Sequence, residues 1–129
     1  QSGAAHGELA WRLNDLDGAL AAASTEHKFV LIDFTGYTCT NCRWMEANMF
    51  PRADVVRELD QFVRVRLFTD GRDSLDRTQQ LYERDQFGTV ALPLYAVVSA
   101  DGAPRATFLG MTRDADEFVR FLSAARSTR

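Results

Sequence analysis

The sequence predicts an α/β fold, a mixed central sheet with helices on both faces. Three observations carry this. Apolar runs of β composition alternate along the chain with segments whose apolar residues recur at helical spacing. The order reads β-α-β-α-β-α-β-β-α, which combines βαβ crossovers with one terminal hairpin. The only two cysteines, Cys39 and Cys42, follow directly on a strongly apolar β run.

The elements are justified in turn. Trp11 to Leu13 fits a short edge strand. Leu16, Ala19, Leu20 and Ala23 lie on one helical face, and Asp15 is placed to cap that helix. Phe29 to Thr35 reads as a central strand buried on both faces. A helix is expected from about Cys39 to Met49, interrupted by Pro51 and resumed over Ala53 to Leu59. Phe62 to Phe68 alternates in part and is the next strand. Ser74 to Asp85 reads as a helix with Leu75, Leu81 and Tyr82 as its apolar contacts. Leu94 to Val98 is a strand, Asp101-Gly102 a hairpin turn, and Ala106 to Leu109 the antiparallel return. Phe118, Val119, Leu122 and Ala125 mark a last helix, with Asp114 and Asp116 at its positive end.

A chain of 129 residues is long enough for a core of its own and is expected to form one domain over residues 4–126. The opening Gln1-Ser2-Gly3 reads as an expression remnant and is set aside. Apolar residues at 46% and charged residues at 26% are ordinary for a soluble protein. A net charge of -3 argues against a nucleic-acid partner held through its phosphates. No apolar run approaches the roughly 20 residues that span a bilayer. The sequence therefore reads as a soluble piece, cut from something larger or standing alone, and is expected to be a monomer.

Cys39-Thr40-Asn41-Cys42 places two thiols within one turn, at the start of a helix. The thiolate is the attacking species, and the unpaired N–H groups of a helix start favour it. Cys39 sits at that end and is assigned as nucleophile. Cys42 lies one turn deeper and is assigned as the thiol that resolves a mixed disulfide on Cys39. A zinc site would use the same half-motif, but a structural site needs four ligands. No third cysteine exists, and His6 and His27 lack ligand spacing to the pair. No metal and no cofactor is expected. Two unrelated buried cysteines, or a disulfide acting only as a clip in a binding module, also fit the pair.

Asp33 puts a carboxylate inside an apolar strand. Burying it unpaired is costly or raises its pKa, so it is either a proton acceptor near Cys42 or a residue at a wet end of the sheet. Glu46, four residues after Cys42, shares that residue's helical face or is simply solvated. Arg43, four residues after Cys39, is expected to face solvent, where it offsets the carboxylates or meets a partner's surface. Tyr37, just before the dithiol, shields it or forms part of a docking rim, and Trp44, Met45, Met49 and Phe50 are core by default. Pro93 opens a strand, where trans is the usual X-Pro geometry.

A C-x-x-C after the first central strand, beside a βαβ pattern, resembles the thioredoxin superfamily. The Asp33 to Cys39 separation and Leu92-Pro93 also fall where that family has them. Within it, the chain resembles the C-terminal periplasmic domain of the DsbD-type thiol:disulfide interchange protein, a protein-disulfide reductase. The likeness runs from about Asp15 to Phe121. It rests on Val30 to Phe34, Cys39 to Glu46, Phe50, Leu92-Pro93 and Asp101-Gly102, and above all on Asp33 and Glu46 around one dithiol. Thr35-Gly36-Tyr37-Thr38 departs from the family, which often has Asp-Trp or Glu-Trp before the dithiol.

The resemblance implies a thioredoxin-like fold and a reductase that passes electrons by dithiol–disulfide exchange to oxidised protein partners. It implies catalytic roles for Cys39, Cys42, Asp33 and Glu46. It implies a cis proline at Pro93 packed against the dithiol, and substrate contacts through Leu92, whose backbone pairs with an extended segment. It implies a membrane-embedded donor domain, a periplasmic acceptor domain, a periplasmic location and service to cytochrome c maturation. A disulfide oxidase or isomerase, or a stand-alone cytosolic thioredoxin-like reductant, would use the same fold and dithiol.

Overall fold

A computed structural model describes residues 9–127. Gln1-Ser2-Gly3, the expected domain start at residue 4 and His6 lie outside the described residues. The elements are β1 (Arg12–Leu13), α1 (Leu16–Glu26), β2 (Phe29–Thr35), α2 (Thr40–Trp44), a π-helical turn (Met45–Met49), α3 (Ala53–Leu59), β3 (Phe62–Phe68), α4 (Ser74–Phe87), β4 (Leu94–Val98), β5 (Pro104–Leu109) and α5 (Ala115–Ser127).

The five strands form one sheet in the order β1-β3-β2-β4-β5. β2 pairs parallel with β3 and antiparallel with β4, so it is the central strand. Its side chains alternate between two cores, as strand geometry requires. Leu31 packs with Tyr95 and Val97 under Met45, Met49, Val55, Phe118 and Leu122, on the face covered by α2, the π turn, α3 and α5. Val30, Ile32 and Phe34 face the other way, under α1 and α4. Asp33 is two residues from Leu31 and therefore belongs to the first face.

Local chemistry sets the element ends. Asp15 caps α1 by accepting from the Gly18 N–H at 2.9 Å. His27 closes that helix at φ 57°, in the left-handed region, which is a structural duty. Phe50 N–H donates to Met45 O at 2.9 Å, the i→i+5 bond of the π turn, and Pro51 then ends the run.

One expectation is corrected. Leu75 and Leu81 do not contact the core; they are 47% and 38% exposed, and α4 turns Asp76, Gln79 and Glu83 inward. Hydrogen bonds decide this helical phase. Asp73 caps the helix by accepting from Asp76 N–H, and Asp76 accepts from Gly71 N–H at 2.8 Å. Gln79 donates to both Phe68 O and Asn14 Oδ1. Rotating the helix to bury the leucines would break the bonds that Asp76 and Gln79 make outside it. The helix also runs two residues further than expected, to Phe87, where Gly88 at φ 78° stops it.

Candidate active site

Cys39 and Cys42 are joined by a disulfide, with their Cα atoms 5.2 Å apart. Cys39 is the N-cap of α2, in extended geometry, and its Sγ accepts from Cys42 N–H at 3.2 Å. The two sulfurs differ in access. Cys39 is partly exposed, whereas Cys42 is 1% exposed. A visiting sulfur can reach the first far more readily than the second.

Asp33 is 1% exposed, which rules out a wet position at the end of the sheet. Its parallel partner on β3 is Arg66, so the two side chains share a face of the sheet. Arg66 Nε donates to Asp33 Oδ2 at 3.1 Å, while Asp33 Oδ1 has no hydrogen-bond partner. Burial pushes the Asp33 carboxyl up from 3.8 to about 6. Arg66 opposes that rise by charge and hydrogen bond, Glu46 adds to it, and Arg43 lowers it.

Glu46 is reached by both arginines. Arg43 Nη2 lies 2.9 Å from Glu46 Oε2, and Arg66 Nε lies 3.8 Å from the same oxygen. Arg66 thus spans the two acids, held over the Trp11 ring with its guanidinium carbon 4.4 Å from the centroid. A cleft of about 160 Å³ opens here between Trp11, Phe50, Glu46 and Arg66. It gives Glu46 and Arg66 contact with water that Asp33 lacks.

Arg43 offsets a carboxylate, one of the roles the sequence allows it. Its side chain is 42% exposed, yet its tip is turned inward to Thr35 Oγ1 at 2.7 Å and to Glu46. The spacing after Cys39 places Arg43 on the outer face, but a long side chain curls back to a buried acceptor.

Tyr37 is 55% exposed and stacks on Phe68, centroids 4.4 Å apart. Its N–H donates to Asp70 Oδ1 at 2.9 Å, which ties the loop before the dithiol to the loop after β3. Leu92 is half-buried and Pro93 buried, and the bond between them is cis. Pro93 O accepts from Gly110 N–H at 2.8 Å, which anchors the start of β4 to the end of β5.

Two side chains of the site, Arg66 and Tyr95, escape the sequence reading. Arg66 sits at an alternating position of β3, but only the β2/β3 register puts it opposite Asp33. Tyr95, opposite Asp33 on β4, is fully buried with no hydrogen-bond partner for its hydroxyl. Trp44 carries Arg113 over its ring at 5.1 Å. Among the described residues no group of three or more His, Cys, Asp or Glu is placed to hold a metal ion. No helix among them is long and apolar enough to cross a membrane.

The family described as Thioredoxin-like matches residues 11–100. No curated protein matches the sequence. Among solved structures, a DsbH oxidoreductase superposes with TM-score 0.75 at 17% identity, over 100% of this chain and 92% of its own. The oxidised C-terminal domain of DsbD from Neisseria meningitidis gives TM-score 0.73 at 23% identity, over 91% of this chain and 100% of its own. A thioredoxin from Thermus thermophilus gives 0.70 at 22%, over 90% and 87%. At such identities the likeness is one of fold.

Proposed function

Because this chain belongs to the thioredoxin-like family, as a thiol–disulfide oxidoreductase with Cys39 and Cys42 as its C-x-x-C pair, we propose that it works as a protein-disulfide reductase of the DsbD C-terminal kind. The observation that carries this reading is the pair of carboxylates, Asp33 and Glu46, gathered by one arginine on the sheet face that the dithiol helix covers.

In the delivery half-reaction, the Cys39 thiolate attacks one sulfur of the partner's disulfide. A mixed disulfide forms, and the partner's other sulfur leaves and takes a proton from water. Cys42 then loses its proton to Asp33, and its thiolate attacks Cys39 Sγ. The partner's remaining sulfur leaves and is protonated. The partner gains two electrons and two protons, and Cys39–Cys42 is left oxidised. In the loading half-reaction, one thiolate of a donor dithiol attacks Cys39, and protonated Asp33 returns its proton to Cys42 as that sulfur leaves. The donor's second thiolate then attacks the donor sulfur of the mixed disulfide, releasing Cys39 as a thiolate and leaving the donor oxidised.

Two effects oppose each other at Cys39. The helix start lowers the thiol's pKa, and nearby carboxylates raise it. Where carboxylates lie buried near the sulfurs they outweigh the helix start. Asp33 is buried and Glu46 is half-buried between two arginines. On this reading the thiol is expected to be less acidic than in a strong oxidant and slow to react off its partner. Tyr37, Leu92 and Pro93 form the docking rim, where the backbone of Leu92 pairs with an extended segment of the partner. Its partners are proteins with exchangeable disulfides: a membrane-embedded donor domain and a periplasmic acceptor, with cytochrome c maturation as a downstream use. The domain covers residues 4–126 and acts as a monomer in the periplasm.

Trapping tests the reading. Cys42→Ser should accumulate a mixed disulfide through Cys39, and mass spectrometry of the adduct names the partner. Equilibration with glutathione should place the wild-type pair well on the reducing side of an oxidase or isomerase. A Cys39→Ser protein that keeps full activity would falsify the proposal.

A further inference from the structure

Two polar atoms without a hydrogen-bond partner belong to register partners on the central strands. Asp33 Oδ1 and the Tyr95 hydroxyl are both buried, and neither has a hydrogen-bond partner in the protein. Asp33 and Tyr95 are directly opposed in the antiparallel β2/β4 register, so they lie on the same face. The Tyr95 ring is locked edge-on against Phe50 at 5.7 Å and Phe118 at 5.2 Å, which fixes where its hydroxyl points. Asp33, Glu46, Arg66 and Arg43 all act electrostatically on that hydroxyl. Buried polar groups in folded proteins are almost always satisfied, by protein or by an ordered water.

We propose that Tyr95 is a positioning residue for Asp33, its hydroxyl donating to Oδ1 through one buried water. Arg66 holds one carboxylate oxygen and Tyr95 the other. Burial and the neighbouring acids push the phenol well above its usual range, so it stays a donor at every working pH. A hydrogen bond to the charged form favours that form. Tyr95 therefore lowers the proton affinity of Asp33 against the effect of burial, and keeps the carboxyl able to accept a proton near neutrality. The charged groups acting on Asp33 are Arg66 from β3 and Glu46 and Arg43 from the helical run, and Tyr95 meets it from β4. The catalytic consequence rests on the role proposed above for Asp33; the hydrogen bond itself does not.

The test separates the two. In the oxidised protein, Asp33 is titrated by carboxyl carbon NMR, and Tyr95 by its labelled ζ carbon. The Tyr95 signal should move with the same midpoint as Asp33, and that step should vanish in Asp33→Asn. Tyr95→Phe keeps the ring and its packing, and should move the Asp33 midpoint upward by roughly half to one pH unit. A Tyr95 signal flat through the Asp33 titration, or an Asp33 midpoint unchanged or lowered in Tyr95→Phe, overturns the proposal. If the NMR results hold and Asp33→Asn leaves the exchange rate and its pH profile unaltered, the hydrogen bond stands and the role of Asp33 in the reaction fails.

Discussion

Asp33 and Arg66 are register partners on adjacent parallel strands, and their side chains meet at 3.1 Å with the carboxylate buried and the guanidinium only 18% exposed. A buried charge that loses its partner is expensive unless it can neutralise. Arg66→Met should therefore cost about 3 kcal/mol of stability at pH 8, where Asp33 must ionise alone. At pH 5 the carboxyl is largely protonated in the folded protein, so the cost should be markedly smaller. Urea unfolding of the oxidised form at the two pH values checks this. Equal losses at both would mean that the stack on Trp11, and not the charge, is what Arg66 contributes.

Asp33 also makes stability depend on pH. Its folded pKa, about 6, lies above the ordinary 3.8, so the native state binds the proton more tightly than the unfolded chain does. Its contribution is complete below about pH 3.8 and is lost as pH rises through about 6. Asp33→Asn should abolish that loss and leave the oxidised protein more stable than wild type at pH 7.5, by roughly 2 kcal/mol. Thermal melts across pH 4 to 8 read it directly. A variant less stable than wild type at pH 7.5 would count against the buried-carboxyl account.

The same carboxyl predicts a rate profile. On the role proposed for it, protonated Asp33 donates to Cys42 when a donor thiolate opens the disulfide. Reduction by excess dithiothreitol, corrected for the reagent's own thiolate fraction, should slow as pH rises through about 6. Asp33→Asn should be slower at pH 5 and nearly flat. A wild-type rate that stays level after correction would remove Asp33 from this step.

Glu83 provides an independent handle far from the dithiol in sequence. It is fully buried on the inner face of α4, with neither carboxylate oxygen paired, and burial pushes it from 4.5 to about 8. By the same sign, its stabilising protonated form is complete below about pH 4.5 and is lost as pH rises through about 8. Each pH unit in that window is worth ~1.4 kcal/mol. Glu83→Gln should flatten the alkaline fall in stability and gain a few kcal/mol at pH 8.5, with no change in the exchange rate. If the alkaline fall persists undiminished, Glu83 is not its source.

Tyr37 tests the docking rim. Its ring is more than half exposed, stacked on Phe68 beside the loop that leads to Cys39. An exposed aromatic anchor is worth ~1 kcal/mol or more in binding, which is about a five-fold change in affinity. Tyr37→Ala should raise the KM for a protein disulfide such as insulin by that factor, and leave the rate with a small aromatic disulfide unchanged. Equal effects on both substrates would place Tyr37 in the chemistry or in the fold, not in recognition.

Much of this protein was legible in the sequence because it is local. The β2 span, the Asp15 cap, the break at Pro51 and the hairpin at Asp101-Gly102 each follow from residues within a few positions of one another. The C-x-x-C pair at a helix start is local too. The phase of α4 was not, because the hydrogen bonds that turn Asp76 and Gln79 inward, and carry Glu83 with them, involve Gly71, Phe68 and Asn14, and the last is 65 residues from Gln79.

The sequence by itself determined the fold class, the strand that carries Asp33 and the turn that joins two sulfurs. Only the tertiary structure decided what surrounds that acid. Strand order and register bring Arg66 to one side of it, from 33 residues away, and Tyr95 to the other. A side chain's proton affinity depends on burial and on the charges within a few ångströms, and those are properties of packing that no spacing along the chain encodes.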